Sequence, residues 1–424
     1  MGLDVADGAT NATSVWSIVG SGPGVVSLLS PANIADVSVA IDGIPTYREQ
    51  GVMMATVRQN IRGTSYGTVE VSYTNHFGGD VAANVLQIAT SRATIGGEYN
   101  VNVAVAMFPF ADGWISGHVA GTGALLEHNG VSTENVSPIG TGRYKVAIDG
   151  MNAQNDGILL AVSAENGYNF LSTAPLADGT GWEVAVRDNT ATTFDALESA
   201  RWGFVYLDYD APGLTGGRIA PGGNLIAARG SFSLTHPSAG VYRISIPGYT
   251  PDDGILLLTS SGWETESGST LPADNVLSYE ADGNSFLVHL RDRNGAESLL
   301  EDGEFVFAFL AYDKTLMPAV PGDANYDGKV DDADGAIMAQ NWGQTVATWA
   351  MGDFDLDGVI SSKDAAILAA NWGYGATSEA SSIPEPSLAC LLLTGNLWLL
   401  MRRRSRKTLD SRLTGSAVSY FAGR

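Results

Sequence analysis

"GRYKVAIDGMNAQNDGILLAVSAENGY", residues Gly142–Tyr168, decides how this chain is read. It opens with a Tyr-basic-apolar strand pattern, turns through glycine, asparagine and aspartate, and resumes as Asp-Gly-Ile-Leu-Leu. Roughly 100 residues later, a spacing that suits a compact sandwich domain, "GVYRISIPGYTPDDGILLLTSSGW" (Gly240–Trp263) repeats the plan. "VAVRD" at Val184–Asp188 returns as "VHLRD" at Val288–Asp292, and "FVYLDYD" at Phe204–Asp210 as "FAFLAYD" at Phe307–Asp313.

Around these copies the pattern is that of half-buried strands. "TVEVSYT" (Thr68–Thr74), "YNVNVAVAMF" (Tyr99–Phe108), "WEVAVRD" (Trp182–Asp188) and "FLVHLRD" (Phe286–Asp292) alternate apolar with polar and favour β-branched and aromatic types. Turn clusters such as "NHFGGD" and "PDDG" separate them. The expected fold is mainly β: tandem β-sandwich or jelly-roll-like domains, then a small helical module and a C-terminal transmembrane helix. A β-rich region at 1–110 precedes repeat A (111–212) and repeat B (213–318). The G-Y-x-V strand with its Gly-Ile-Leu-Leu partner loosely resembles β-jelly-roll modules of bacterial exported and tail-fibre proteins. The Arg187-Asp188 and Arg291-Asp292 pairs read as strand-end ion pairs. The duplication reads as a lengthened spacer or as a doubled binding site.

Composition sets the class. With 45% apolar residues, 16% charged and 51 glycines, the 424-residue chain can bury real cores and has many turns. A formal net charge of -23 argues against nucleic acid as a partner of the body. The single cysteine, Cys390, lies in the apolar C-terminal run, so no disulfide supports the body. The first residues, "MGLDVADGATNATSVWSIVG", show no secretory signal pattern.

"GDANYDGKVDDAD" (Gly322–Asp334) concentrates five aspartates in thirteen residues. Counted as a twelve-residue loop, it sets oxygen side chains at positions 1, 3, 5, 9 and 12: Asp323, Asn325, Asp327, Asp331 and Asp334. Gly328 takes the sharp turn at position 6 and Lys329 offers a carbonyl at position 7, the EF-hand pattern of hard oxygen donors for Ca²⁺. Thirty residues on, Asp353, Asp355, Asp357, Gly358, Val359 (carbonyl), Ser361 and Asp364 repeat it. Short helices are predicted at 334–341 and 364–371, each stopped by Asn-Trp-Gly. Val330, at position 8, is expected to form a short strand linking the two loops.

The pair, over about 321–376, closely resembles a type I dockerin, which carries two such loops with Asp at position 12, each followed by one helix. The resemblance implies two bound Ca²⁺ ions, held by the residues just named, and docking onto a cohesin-like protein, often to assemble polysaccharide-degrading enzymes. Partner choice in that family lies at loop positions 10 and 11, here Asp332-Ala333 and Ser362-Lys363, not the Ser/Thr pairs of cellulosomal examples. A calcium-rigidified stalk without a partner is the competing reading.

The calcium module is assigned to 319–376, and a small-residue linker to 377–387 that ends in Pro384, Glu385 and Pro386. The apolar run Leu388–Met401 would rise about 21 Å as a helix, short of a ~30 Å hydrocarbon core unless arginines snorkel. Residues 402–424, with seven basic residues against one acidic, then read as a basic cytoplasmic tail, which places the rest outside the inner membrane. The arrangement strongly resembles a PEP-CTERM sorting signal, recognised by an exosortase, a membrane protease that removes the tail. Together with the dockerin-like loops it is reminiscent of planctomycete surface proteins. The expectation is an exported, membrane-tethered cell-surface or extracellular-matrix protein. The alternative is a polysaccharide-binding or polysaccharide-degrading protein with a dockerin adaptor.

No catalytic motif emerges. "GTSYG" (Gly63–Gly67) fits a nucleophile elbow at Ser65, yet a strand pattern rather than a helix follows it. His76, His118, His128, His236 and His289 show no zinc spacing. Asp208, Asp210, Asp252 and Asp253 are the carboxylates that a glycosidase reading would use, and the last two belong more simply to a Pro-Asp-Asp-Gly turn.

Overall fold

The computed structural model describes residues 49–60 and 101–375, except 165–168, 190–194, 267, 293–298, 314–319, 326–327, 346, 348 and 356–357. It also describes the backbone of strands at 3–4, 17–22, 25–29, 36–41, 67–72 and 86–92. Ser65, His76, Asp327, Asp357, Pro384–Pro386, the apolar run and the basic tail lie outside the described residues.

The chain is mainly β. The first segment forms β1 (Leu3–Asp4), β2 (Ser17–Gly22), β3 (Val25–Leu29), β4 (Asp36–Ile41), β5 (Gly51–Asn60), β6 (Gly67–Ser72), β7 (Leu86–Arg92) and β8 (Val101–Pro109). Repeat A forms β9 (Ser116–Val119), β10 (Leu125–Asn129), β11 (Val136–Gly140), β12 (Arg143–Val146), β13 (Gly157–Ser163), β14 (Asn169–Pro175), β15 (Trp182–Asp188) and β16 (Trp202–Asp208). Repeat B forms β17 (Thr215–Ile219), β18 (Leu225–Arg229), β19 (Ser233–Ser238), β20 (Val241–Ser245), β21 (Gly254–Ser261), β24 (Val276–Asp282), β25 (Ser285–Arg291) and β26 (Glu304–Ala311). An extra hairpin, β22 (Trp263–Glu266) and β23 (Ser269–Pro272), is inserted in repeat B.

Among the described residues three eight-stranded sheets result, and each is shared by two segments. Their orders are β1-β4-β7-β6-β13-β16-β9-β10, β11-β12-β15-β14-β21-β26-β17-β18 and β19-β20-β25-β24-β5-β8-β3-β2. Parallel pairings stitch the halves together: β6 to β13 at Glu70–Ser163, β14 to β21 at Ser172–Ser260, and β24 to β5 at Ser278–Val57. The first segment therefore joins A, A joins B, and B returns to the first segment. The ring closes.

The first segment, which the sequence shows only as β-rich, thus plays the part of a third repeat. The register makes it explicit, because Gly51 pairs with Pro109 as Gly157 pairs with Asp208 and Gly254 with Ala311. A Cβ at any of these three glycines would meet the carbonyl oxygen of Phe108, Leu207 or Leu310. "GVMMATV", "GILLAVS" and "GILLLTS" are the same central strand, buried on both faces, so each reads as an unbroken apolar run.

One face of that strand lies inside its own sandwich. In repeat A this core holds Leu159, Tyr144, Trp182, Trp202 and Phe204, closed by Tyr144 Oη donating to Gly121 O at 2.8 Å. Tyr242, its counterpart, donates to Pro221 O at 2.6 Å. The other face turns to the ring centre, where Val52, Met54, Ile158, Leu160, Ile255 and Leu257 belong to one cluster. At 25 cal/mol per Å² of apolar area, six such side chains contribute on the order of 10 kcal/mol before entropy is counted. Thr56 Oγ1 accepts from Leu258 N (3.1 Å), and Thr259 Oγ1 from Ala161 N (3.2 Å). The third equivalent position is Val162, which has no hydroxyl.

Arg187, expected to pair with its neighbour Asp188 at a strand end, forms an ion pair with Asp195 (2.9 Å). It also reaches across the A–B junction to Glu264 on β22 (3.9 Å) and donates to Pro272 O (3.0 Å). Among the described residues no helix is long and apolar enough to cross a membrane.

Candidate metal centre

The aspartate-rich segment folds as two copies of one unit. Each loop leads into a nine-residue helix, α1 (Asp332–Gln340) and α2 (Ser362–Ala370). Both begin two residues earlier than their pattern suggests, because position 9 is also the N-cap. Asp331 and Asp334 form a capping box, as do Ser361 and Asp364. Positions 10 and 11 accordingly stand in the first helical turn, where Asp332, Ala333, Ser362 and Lys363 are all exposed.

Position 12 organises each loop. Asp334 Oδ1 accepts from Ala324 N (2.8 Å) and Asn325 N (3.2 Å), and Oδ2 from Asp331 N (2.9 Å). Asp364 repeats this with Phe354 N (2.8 Å), Asp355 N (3.1 Å) and Ser361 N (2.7 Å). Position 1 supports position 6: Asp323 Oδ2 accepts from Gly328 N (2.8 Å), Asp353 Oδ2 from Gly358 N (2.9 Å). Gly328 and Gly358 have φ of 78° and 81°, which a side chain resists. All four of these aspartates are buried, at 2%, 0%, 1% and 0% exposure for Asp323, Asp334, Asp353 and Asp364.

Burying several carboxylates together is unfavourable unless a cation joins them. Carboxylate oxygens of Asp353, Asp355 and Asp364 lie within 4.8 Å of one another. Two oxygens on one Ca²⁺ at 2.3–2.6 Å stand at most about 5 Å apart, so the cluster fits that ion. In the first loop Asn325 replaces the central carboxylate with a neutral amide. Lys329 and Val359 take position 7, and both side chains face solvent.

One expectation is overturned. Val330 does not serve as a strand linking the two loops: its N donates to Tyr374 O (3.1 Å) and its O accepts from Gly373 N (2.9 Å). Ile360 likewise pairs with the chain after α1, donating to Gln344 O (3.2 Å) and accepting from Gly343 N (2.9 Å). Each loop is clasped by the segment that leaves the other helix. Without an entering helix, that segment is free to run back along the opposite loop. Gly322 packs on Leu368 of α2 and Gly352 on Met338 of α1, in the same reciprocal sense. Trp349, 2% exposed, seals the interior by donating Nε1–H to Asp323 O (2.7 Å) and meeting Phe354 edge-on.

The other residues with potential chemistry stand apart. His118 is buried against Gly51 O (3.0 Å), His236 pairs with Asp302 (2.8 Å), and His289 with Glu280 (3.2 Å). Asp253 closes its turn on Thr250 N and Oγ1, and Asp252 lies 3.6 Å from Arg58. Burial pushes the Asp208 carboxyl up to about 7, with the charges of Asp210 and Asp156 adding to it. Glu264, raised to about 8 by burial and then by Asp274, is a group the sequence does not mark. Its signal is tertiary, since hairpin and strand meet only across the repeat junction.

Residues 321–371 match the family model of the dockerin type I domain. That match covers the loops and helices and stops short of the Gly373–Tyr374 clasp. No curated protein and no solved structure matches the chain. The segment is thus similar to a calcium-dependent protein-docking module, carried on a β-rich body.

Proposed function

We propose that this protein is an exported surface or matrix protein whose dockerin-type module, folded on two calcium ions, docks the β body onto a cohesin-like partner. The observation that carries the reading is the Asp353, Asp355 and Asp364 oxygen cluster within a dockerin-matching segment. Asp323, Asn325, Asp327, Asp331, Asp334 and the Lys329 carbonyl hold the first ion. Asp353, Asp355, Asp357, Ser361, Asp364 and the Val359 carbonyl hold the second. The exposed first turns of α1 and α2 carry the contacts.

Pro384-Glu385-Pro386, the apolar run and the basic cluster support tethering at the inner membrane and processing by an exosortase-like enzyme. The test is capture by the full chain from envelope and culture extracts, with calcium and then with EGTA. A protein retained by the native chain only with calcium, and not by an Asp353→Ala/Asp364→Ala variant, supports docking. If nothing is retained while the module remains folded on calcium, the docking reading fails and the module is a stalk. Retardation in a gel of soluble polysaccharide tests the glycan-binding alternative separately.

A further inference from the structure

At the ring centre, β5, β13 and β21, the start of β14 and the residues leading into β24 line a cavity of about 60 Å³. Residues of all three segments line it, among them Thr56, Ser163, Phe170, Ser260 and Asn275, and none of its lining side chains is charged. Ser260 is 1% exposed and Asn275 3%, yet Ser260 Oγ and Asn275 Oδ1 have no hydrogen-bond partner in the protein. Two buried polar atoms left dry beside this cavity would be unfavourable.

We propose that this cavity is a built hydration site, holding a small cluster of ordered waters that hydrogen-bond Ser260 and Asn275 where residues of all three segments meet. The chemistry selects the ligand. A water needs about 10–15 Å³ of such space, so the volume suits about four waters and is too small for a sugar ring. With no charged lining group, the site offers nothing to balance an ion. The unpartnered polar atoms comprise one hydroxyl, which donates or accepts, and one amide oxygen, which accepts. Water supplies both roles at once. The parallel junctions have few ladder bonds between repeats, and bridging waters restore polar pairing there.

Two experiments on the full chain decide it. A high-resolution crystal structure is expected to show ordered waters within hydrogen-bond distance of Ser260 Oγ and Asn275 Oδ1. A dry cavity, or an organic molecule in that density, overturns the proposal. Thermal melting of Ser260→Ala gives an independent reading by its sign. If waters bridge the hydroxyl, its removal lowers the Tm of the β body. If the cavity is dry, removing an unsatisfied buried hydroxyl raises the Tm, and the proposal falls.

Discussion

The β body and the calcium module solve the same problem with opposite materials. At the ring centre, three unbroken apolar strands meet and almost every group is neutral. In the module, two nine-residue helices and a small apolar cluster around Trp349 surround buried carboxylates. The first is stabilised by area removed from water, the second by a cation, because so small a core rarely suffices alone. What the contrast teaches is that the two parts of one chain should answer differently to metal, to pH and to single side chains.

The largest difference is expected on removing calcium. EGTA should abolish the module's transition, read by fluorescence of buried Trp349, and leave the β body's far-UV signal intact. Asp364→Ala should act in the same direction with calcium present, costing about 3 kcal/mol or more, because several backbone donors lose their acceptor with the ligand. Loss of the body's transition under either treatment would break the comparison.

The converse substitution is Gly157→Val. Its side chain has no space beside Leu207 O and Tyr206, so the body's Tm should fall by the equivalent of about 3 kcal/mol. Calcium affinity, measured by calorimetry, should stay unchanged.

pH should divide the two regions by sign. Asp208 and Glu264 hold their protons more tightly folded than unfolded, at about 7 and about 8 against 3.8 and 4.5. Their stabilising contribution is complete below about pH 4 and is lost as pH rises through those folded values. The body should lose about 1–2 kcal/mol over that window, after allowance for solvent screening. Asp208→Asn should flatten the slope seen in urea denaturation. The module needs ionised carboxylates, so its calcium affinity should instead weaken as pH falls towards 4. Parallel slopes in the two regions would contradict this assignment.

The smallest effect is a gain. Val162→Thr would complete the set begun by Thr56 and Thr259, by offering a hydroxyl to Ala55 N. A rise of about 1 kcal/mol in the body's stability is expected, with the module unaffected.

How much could be read in advance differs between the regions for a physical reason. The loops were legible residue by residue, since ligand positions, turning glycine and helix caps all follow from local geometry within twelve residues. Even there, the crosswise clasp of Val330 and Ile360 was not visible, because it joins each loop to a segment outside its own twelve residues, beyond the other loop's helix. In the body, Tyr144 and Tyr242 marked the duplication through identity. The third copy had diverged too far for that, although Gly51 followed by Val-Met-Met carried the signal of a doubly buried strand.

The sequence by itself determined the β character, the two acidic cages and the glycines at their turns, for these rest on periodicity and local backbone preference. Only the tertiary structure decided that three segments share three sheets, that Arg187 spans a junction, and that each loop is held by the other helix's exit. Such pairings depend on which edges and faces remain free once local structure has formed. That is set by the packing of the whole chain.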